Sequence, residues 1–132
     1  MAVSQIVSWI LQVGAAIVLA QTLYFKFSGA PESVWIFTQL NAEPAGRYAA
    51  GILELAACVL LVVPRTIVIG AALASLLMIG AVGAHIFRLG IVVMGDGGLL
   101  IGLAGFVFAA CAGILFLRRE EVSAILKSIR AK

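Results

Sequence analysis

In an otherwise apolar chain, the few residues able to do acid–base or ion-pair chemistry fall at a small number of places. Glu54 sits at the centre of "AGILELAACVLLV", residues 50–62, and Arg47 precedes it by two helical turns on one face. His85 and Arg88 are three apart, so a regular helix would place them side by side. Gln21 and Lys26 close the first apolar run, Glu32 and Glu43 lie in the loop after it, and Asp96 stands in "GDGG", residues 95–98. A lone charge at such depth costs roughly 2.5 kcal/mol or more on insertion scales, so Glu54 needs a compensating partner. Two chemistries meet that need. One is an internal ion pair or hydrogen bond that fixes helix register. The other is a proton-handling or ligand-binding carboxylate, with His85 as hydrogen-bond partner or proton shuttle. Lys26 and Arg47 read as snorkelling anchors, or as counter-charges for Glu54, Asp96 or an anionic ligand.

Other motifs are weaker. "GDGG" lacks the lysine that follows in a phosphate loop, which leaves Asp96 as an N-cap for the next helix. His85 is the only histidine and has no second strong ligand near it in sequence, so no metal site is expected. Cys58 and Cys111 both fall inside apolar runs, either as small packing residues or as a redox pair at comparable depth.

The elements that position these residues follow from composition and periodicity. The chain of 132 residues is 64% hydrophobic and 11% charged, with a mean hydropathy of +1.19. A chain this short cannot hide so much apolar surface from water, so lipid is its solvent. A net charge of +3, scattered along the chain, gives no footprint for nucleic acid. Four runs approach the ~20 apolar residues that a hydrocarbon core demands: about 6–25, 48–63, 67–87 and 99–117. The second is short and draws on Ala45 and Gly46. No basic residue precedes the first run, which therefore reads as a retained span and not as a cleaved signal. Pro64 and Arg65 mark a tight turn, so the spans on either side are antiparallel neighbours.

The expected fold is all-α, an antiparallel four-helix bundle integral to the membrane, forming a single domain over residues 1–132. Arg65, Arg118, Arg119, Lys127, Arg130 and Lys132 lie on one side, against Lys26, Arg47 and Arg88 on the other. That asymmetry puts both termini in the cytoplasm. "PESVWIFTQL" adds a short interfacial helix to the first loop, opened by Pro31, with Val34, Phe37 and Leu40 along one side. Val122, Ile125, Leu126 and Ile129 make the C-terminal tail amphipathic, suited to lie on an anionic leaflet. Tyr24, Trp35 and Tyr48 form an aromatic belt at the outer end, and Trp9 marks the inner one.

On the second span, Ala50, Gly51, Ala57 and Cys58 are small, and Ile52, Leu53, Val59 and Leu60 are bulky. Small residues let helices approach, so Glu54 is expected to face the bundle. Gly105, Ala109 and Gly113 make a similar ridge on the fourth span, for packing within the bundle or across a homodimer. Apart from the turn and tail, every ionisable residue converges on one end. A pocket open to the outer face is expected there, lined by Gln21, Lys26, Glu32, Arg47, Glu54, His85, Arg88 and Asp96.

Several stretches together carry a resemblance. "QTLYFKFSGAPES", "EPAGRYAAGILEL", "LLVVPRT", "GAHIFRLGI" and "GDGGLL" occur in the order and approximate spacing of the DoxX-like family, from Gln21 through Leu100. The chain looks most like the family's small stand-alone bacterial members. The resemblance implies a four-helix membrane bundle in a prokaryotic plasma membrane. Lys26, Glu32, Arg47, Glu54, His85 and Asp96 match the family's polar pattern. The activities it implies are diverse. Name-giving members are similar to subunits of a thiosulfate:quinone oxidoreductase. Other relatives are maturation factors for amine dehydrogenases, or an endoplasmic-reticulum protein that assists receptor assembly. No cofactor-attachment motif accompanies the match. The expectation is therefore an auxiliary subunit that binds a quinone or another lipophilic ligand, with an assembly helper packing against another membrane protein as the alternative.

Overall fold

The computed structural model describes residues 2–132. Helix α1 runs Val3–Ser28, α2 Pro31–Gln39, α3 Ala45–Val62, α4 Ile67–Ala84, α5 Leu99–Leu117 and α6 Arg119–Arg130. Between α4 and the loop before α5, residues His85–Leu89 form a π turn. Four of these segments are long and apolar enough to cross a membrane: α1, α3, α4 with its π turn, and α5.

The spans form a ring in which α1 packs on α3, α3 on α4, α4 on α5 and α5 on α1. Each of those neighbours runs antiparallel. Small side chains allow the close approach: Ala15, Ala57, Ala71, Ala74 and Cys111 are buried at the centre with Leu19, Leu61, Val107 and Ile114. The bulky residues point outward. Ile10, Ile17, Ile52, Leu53, Val59, Leu76, Ile79 and Phe116 are exposed, an outer coat that only lipid makes favourable. As the contrast of small and bulky faces implied, Gly51, Glu54 and Ala57 are buried on α3.

The α3–α4 turn is held tightly. The last carbonyls of a helix lack intrahelical donors. Here Thr66 Oγ1 donates to the Leu60 carbonyl (2.9 Å) and Gln12 Nε2 to the Leu61 carbonyl (2.8 Å). A Cβ at Gly70 would stand 2.6 Å from the Leu61 nitrogen, so only glycine lets α4 begin this close to α3. The Gln12 amide belongs to a buried network at the end of the bundle that holds the termini. Ser8 Oγ donates to Gln12 Oε1 (2.7 Å), and Arg118 donates from Nε to Ser8 (2.9 Å) and from Nη2 to Gln12 (3.4 Å). Through it the start of α6 is fastened to α1.

Both flanking helices form. Pro31 opens α2 at its first turn, where a missing N–H costs nothing. Its inward face is Ser33, Ile36, Phe37 and Leu40, rotated from the Val34–Phe37–Leu40 line expected from sequence. Helix α6 carries its apolar residues to one side, with Leu126 and Ile129 exposed.

Candidate functional site

At the end of the bundle away from the termini, Lys26 on α1 and Glu54 on α3 form an ion pair, Nζ to Oε1 at 3.1 Å. Thr22, one turn before Lys26 on the same face, completes it. Its Oγ1 lies 2.9 Å from both the Leu19 carbonyl and Glu54 Oε2, two acceptors for a single hydroxyl hydrogen. Both oxygens of the buried Glu54 carboxylate are thus partnered, as a charge in an apolar surrounding requires.

Arg47 is also buried but serves a different carboxylate. Its Nε lies 2.9 and 3.0 Å from the two Glu43 oxygens, its Nη2 2.9 Å from Oε1, and its guanidinium 4.5 Å above the Tyr48 ring. Its Nη1 donates to the carbonyl of Lys26 in the last turn of α1. Of the two counter-charges considered for Glu54, Lys26 fills the role. Arg47 instead caps α1 from outside the cavity.

The cavity itself measures about 480 Å³ and draws its lining from α1 to α5, the π turn and the loop after it. Along its deep part it is apolar, with Leu19, Leu77, Met78, Leu103 and Val107 among its walls. Lys26, Glu32, Ser33, Glu54, His85 and Asp96 bring polar atoms to its other end. Helix α2 packs across that end, touching α1, α3 and the π turn.

His85 owes its orientation to the π turn. The Gly90 N–H donates to the His85 carbonyl at 2.7 Å, an i→i+5 bond. In return, His85 Nδ1 lies 3.0 Å from the Gly90 carbonyl. A carbonyl only accepts, so Nδ1 carries the proton. His85 and Leu89 are buried, whereas Arg88 is exposed. The shared face expected for His85 and Arg88 assumed a regular helix. The wider π turn rotates Arg88 away, and it does not line the cavity. Nor does Gln21, which is exposed one residue round the helix from the Leu19–Thr22–Lys26 face. The structure therefore gathers Lys26, Glu32, Glu54, His85 and Asp96 at the cavity, and leaves Arg47, Gln21 and Arg88 outside it. His85 bonds Gly90 and not Glu54.

Asp96 orders the loop into α5. One carboxylate oxygen accepts from the amides of Val93 (3.0 Å) and Gly98 (2.8 Å), the other from Leu100 (3.0 Å). Those three donors, Leu100 foremost, hold the Asp96 carboxyl below the usual carboxylate range. It caps α5, as its place before the span suggested, although Gly98 occupies the formal N-cap position.

Three features escaped sequence reading. Thr22 was detectable by its i,i+4 spacing from Lys26. Ser8 and Gln12 share the same spacing on α1 and sit among apolar neighbours, the mark of an internal polar pair. Ser33 gave no signal, because which face of α2 points inward depends on the whole bundle. On α5, Gly105 and Ala109 are exposed, with Gly113 partly covered by Leu11, so that ridge does not pack inside the bundle. Both cysteines are free, and Cys58 Sγ donates to the Ala16 carbonyl at 3.4 Å.

A comparison with curated proteins and one with solved structures each give no match. A family model does match, over residues 10–95, which spans α1 through the π turn and reaches the loop that holds Asp96. With four apolar spans in one ring and Lys26, Glu32, Glu54 and His85 inside the matched region, the chain belongs to the DoxX-like family of membrane proteins.

Proposed function

We propose that this protein is an auxiliary membrane subunit that binds a lipophilic molecule in its cavity. The observation that carries the reading is the cavity of about 480 Å³, apolar along its depth and polar at one end. Small-molecule sites have this size and this ratio of apolar wall to polar anchor. A quinone fits the donor set: its ring and chain would lie among Leu77, Met78, Leu103 and Val107. Its carbonyl oxygens would take hydrogen bonds from Lys26 or Ser33. The basic residues, six near the termini against three at the opposite end, favour cytoplasmic termini. In a prokaryotic plasma membrane the cavity then faces outward.

A second reading, an assembly helper for another membrane protein, draws on a different observation. Glu54 has both oxygens partnered by Lys26 and Thr22, so the ion pair already stands complete as internal glue. Mass spectrometry of small molecules extracted from the purified protein separates the two. The ligand reading expects one apolar compound retained by the wild type and lost on filling the cavity with Ala81→Phe. Retention of nothing, with one membrane protein co-purifying in constant ratio, would replace it with the helper.

A further inference from the structure

Apart from Glu32, which is exposed, the polar groups around the cavity divide into two sets. Lys26, Thr22, Glu54 and Asp96 all bond to other parts of the protein. Two others keep capacity in reserve. His85 is 95% buried, being 5% exposed, and lines the cavity. Its Nδ1 proton is committed to Gly90, so that whenever the ring is neutral Nε2 is a lone-pair acceptor. No described residue donates to that nitrogen, which opens to the cavity and is not sealed in the protein interior. Ser33 is 7% exposed, lines the cavity from α2, and its hydroxyl has no partner among the described residues. Helix α2 packs directly on the π turn, so both groups serve the same end of the cavity.

A buried acceptor held in one orientation is selective. It favours a head group that donates over one that only accepts, such as a quinone carbonyl, because the second can still take a hydrogen bond from Ser33 but leaves His85 Nε2 unpaired. Ser33, whose hydroxyl both donates and accepts, adapts to either. We infer that the cavity selects a lipophile whose head carries a hydroxyl hydrogen, such as a phenol, hydroquinone or alcohol. His85 Nε2 accepts that hydrogen and Ser33 provides the second contact. This inference rests on the cavity being a ligand site and goes on to name the chemistry of its head group. The imidazole is a binding residue here, and no proton need leave the ligand.

The test uses the full-length protein in lipid nanodiscs and two probes, para-nonylphenol and para-nonylanisole. They differ only in whether the head-group oxygen carries hydrogen or methyl. Affinities are expressed per mole fraction of probe in the membrane, which removes differences in partitioning. The phenol is expected to bind about tenfold more tightly than the anisole. His85→Leu should reduce that ratio to about one, which separates lost hydrogen bonding from the bulk of the methyl group. Imidazole nitrogen NMR gives the same answer without a variant, since His85 is the chain's single histidine. The phenol should move the Nε2 resonance and the anisole should not. Equal binding of both probes, or a ratio that survives His85→Leu with Nε2 unmoved, would overturn the inference and leave the cavity as a ligand site. Binding of neither probe, with nothing retained on extraction, would remove the ligand reading itself and this inference with it.

Discussion

Lys26 and Glu54 meet at 3.1 Å across the α1–α3 contact, with side chains 16% and 8% exposed. The pair belongs to the interior of the bundle, and each charge is tolerable there only because the other is present. Glu54→Gln or Lys26→Met alone should each cost about 3 kcal/mol, since each strands one buried charge. The double variant Lys26→Met/Glu54→Gln should cost well under the sum, with a coupling of roughly 1–3 kcal/mol. Reversible unfolding in mixed micelles measures the cycle. Simple additivity would mean that the two charges do not depend on one another.

Gln12 has no access to solvent and ties α1 to α3 and to the α5–α6 junction at the opposite end, with Ser8, Leu61 and Arg118 as its partners. Gln12→Leu keeps the volume but leaves the Leu61 carbonyl without its donor and the Ser8 hydroxyl hydrogen without its acceptor. A loss of about 2 kcal/mol is expected. Gln21→Leu on the same helix, at an exposed position, should stay within about 0.5 kcal/mol of wild type. The two glutamines thus give a paired measurement in one thermal-unfolding series. Equal effects would show that burial of the amide carries no energetic weight.

What the sequence reveals depends on whether a contact is local to one helix or set between helices. The inward face of α3 was legible because small and bulky residues separate cleanly around Glu54, a contrast local to one helix. The choice between Lys26 and Arg47 as its partner was not. It turns on the vertical register of α1 against α3, which Gly51 and Phe27 set by contact and no periodicity encodes. The pairing of His85 with Arg88 failed for a different reason. A π turn closes on i+5, and no residue type in "HIFRLG" announces the extra residue before Gly90. The four apolar runs gave the spans, yet hydropathy alone understated α1, which extends from Val3 to Ser28 with its polar ends included.

Asp96 supplies a pH dependence with a definite sign. Its carboxyl is held below the ordinary value of about 3.9 by amide donors from Leu100, Val93 and Gly98, so folding favours the ionised form. The resulting stabilisation is complete above that ordinary value and is lost as pH falls through the folded one. Amide resonances of Gly98 and Leu100 should therefore stay fixed from about pH 8 to pH 5 and move only below about pH 4. Asp96→Asn should remove that acid step. A step near neutral pH at these amides would contradict the assignment.

Gly90 controls the orientation of His85 through its backbone. It lies at φ +81°, ψ 173°, a region that only glycine enters at low cost, while a Cβ there would meet no neighbour. Gly90→Ala should therefore strain the backbone by about 1–3 kcal/mol without any steric clash. The chain relieves that strain by turning the Gly90 carbonyl off His85 Nδ1. The Nδ1 proton, protected in the wild type by its bond to that carbonyl, should then exchange quickly with solvent and fade from the NMR spectrum. Gly95→Ala is the control: φ is +74° there and the site is also open, but the residue makes no bond to the imidazole. It should also lower stability, and leave the Nδ1 proton in place. A protected Nδ1 proton in Gly90→Ala would show that the imidazole is oriented by its surroundings in the cavity and not by the π turn.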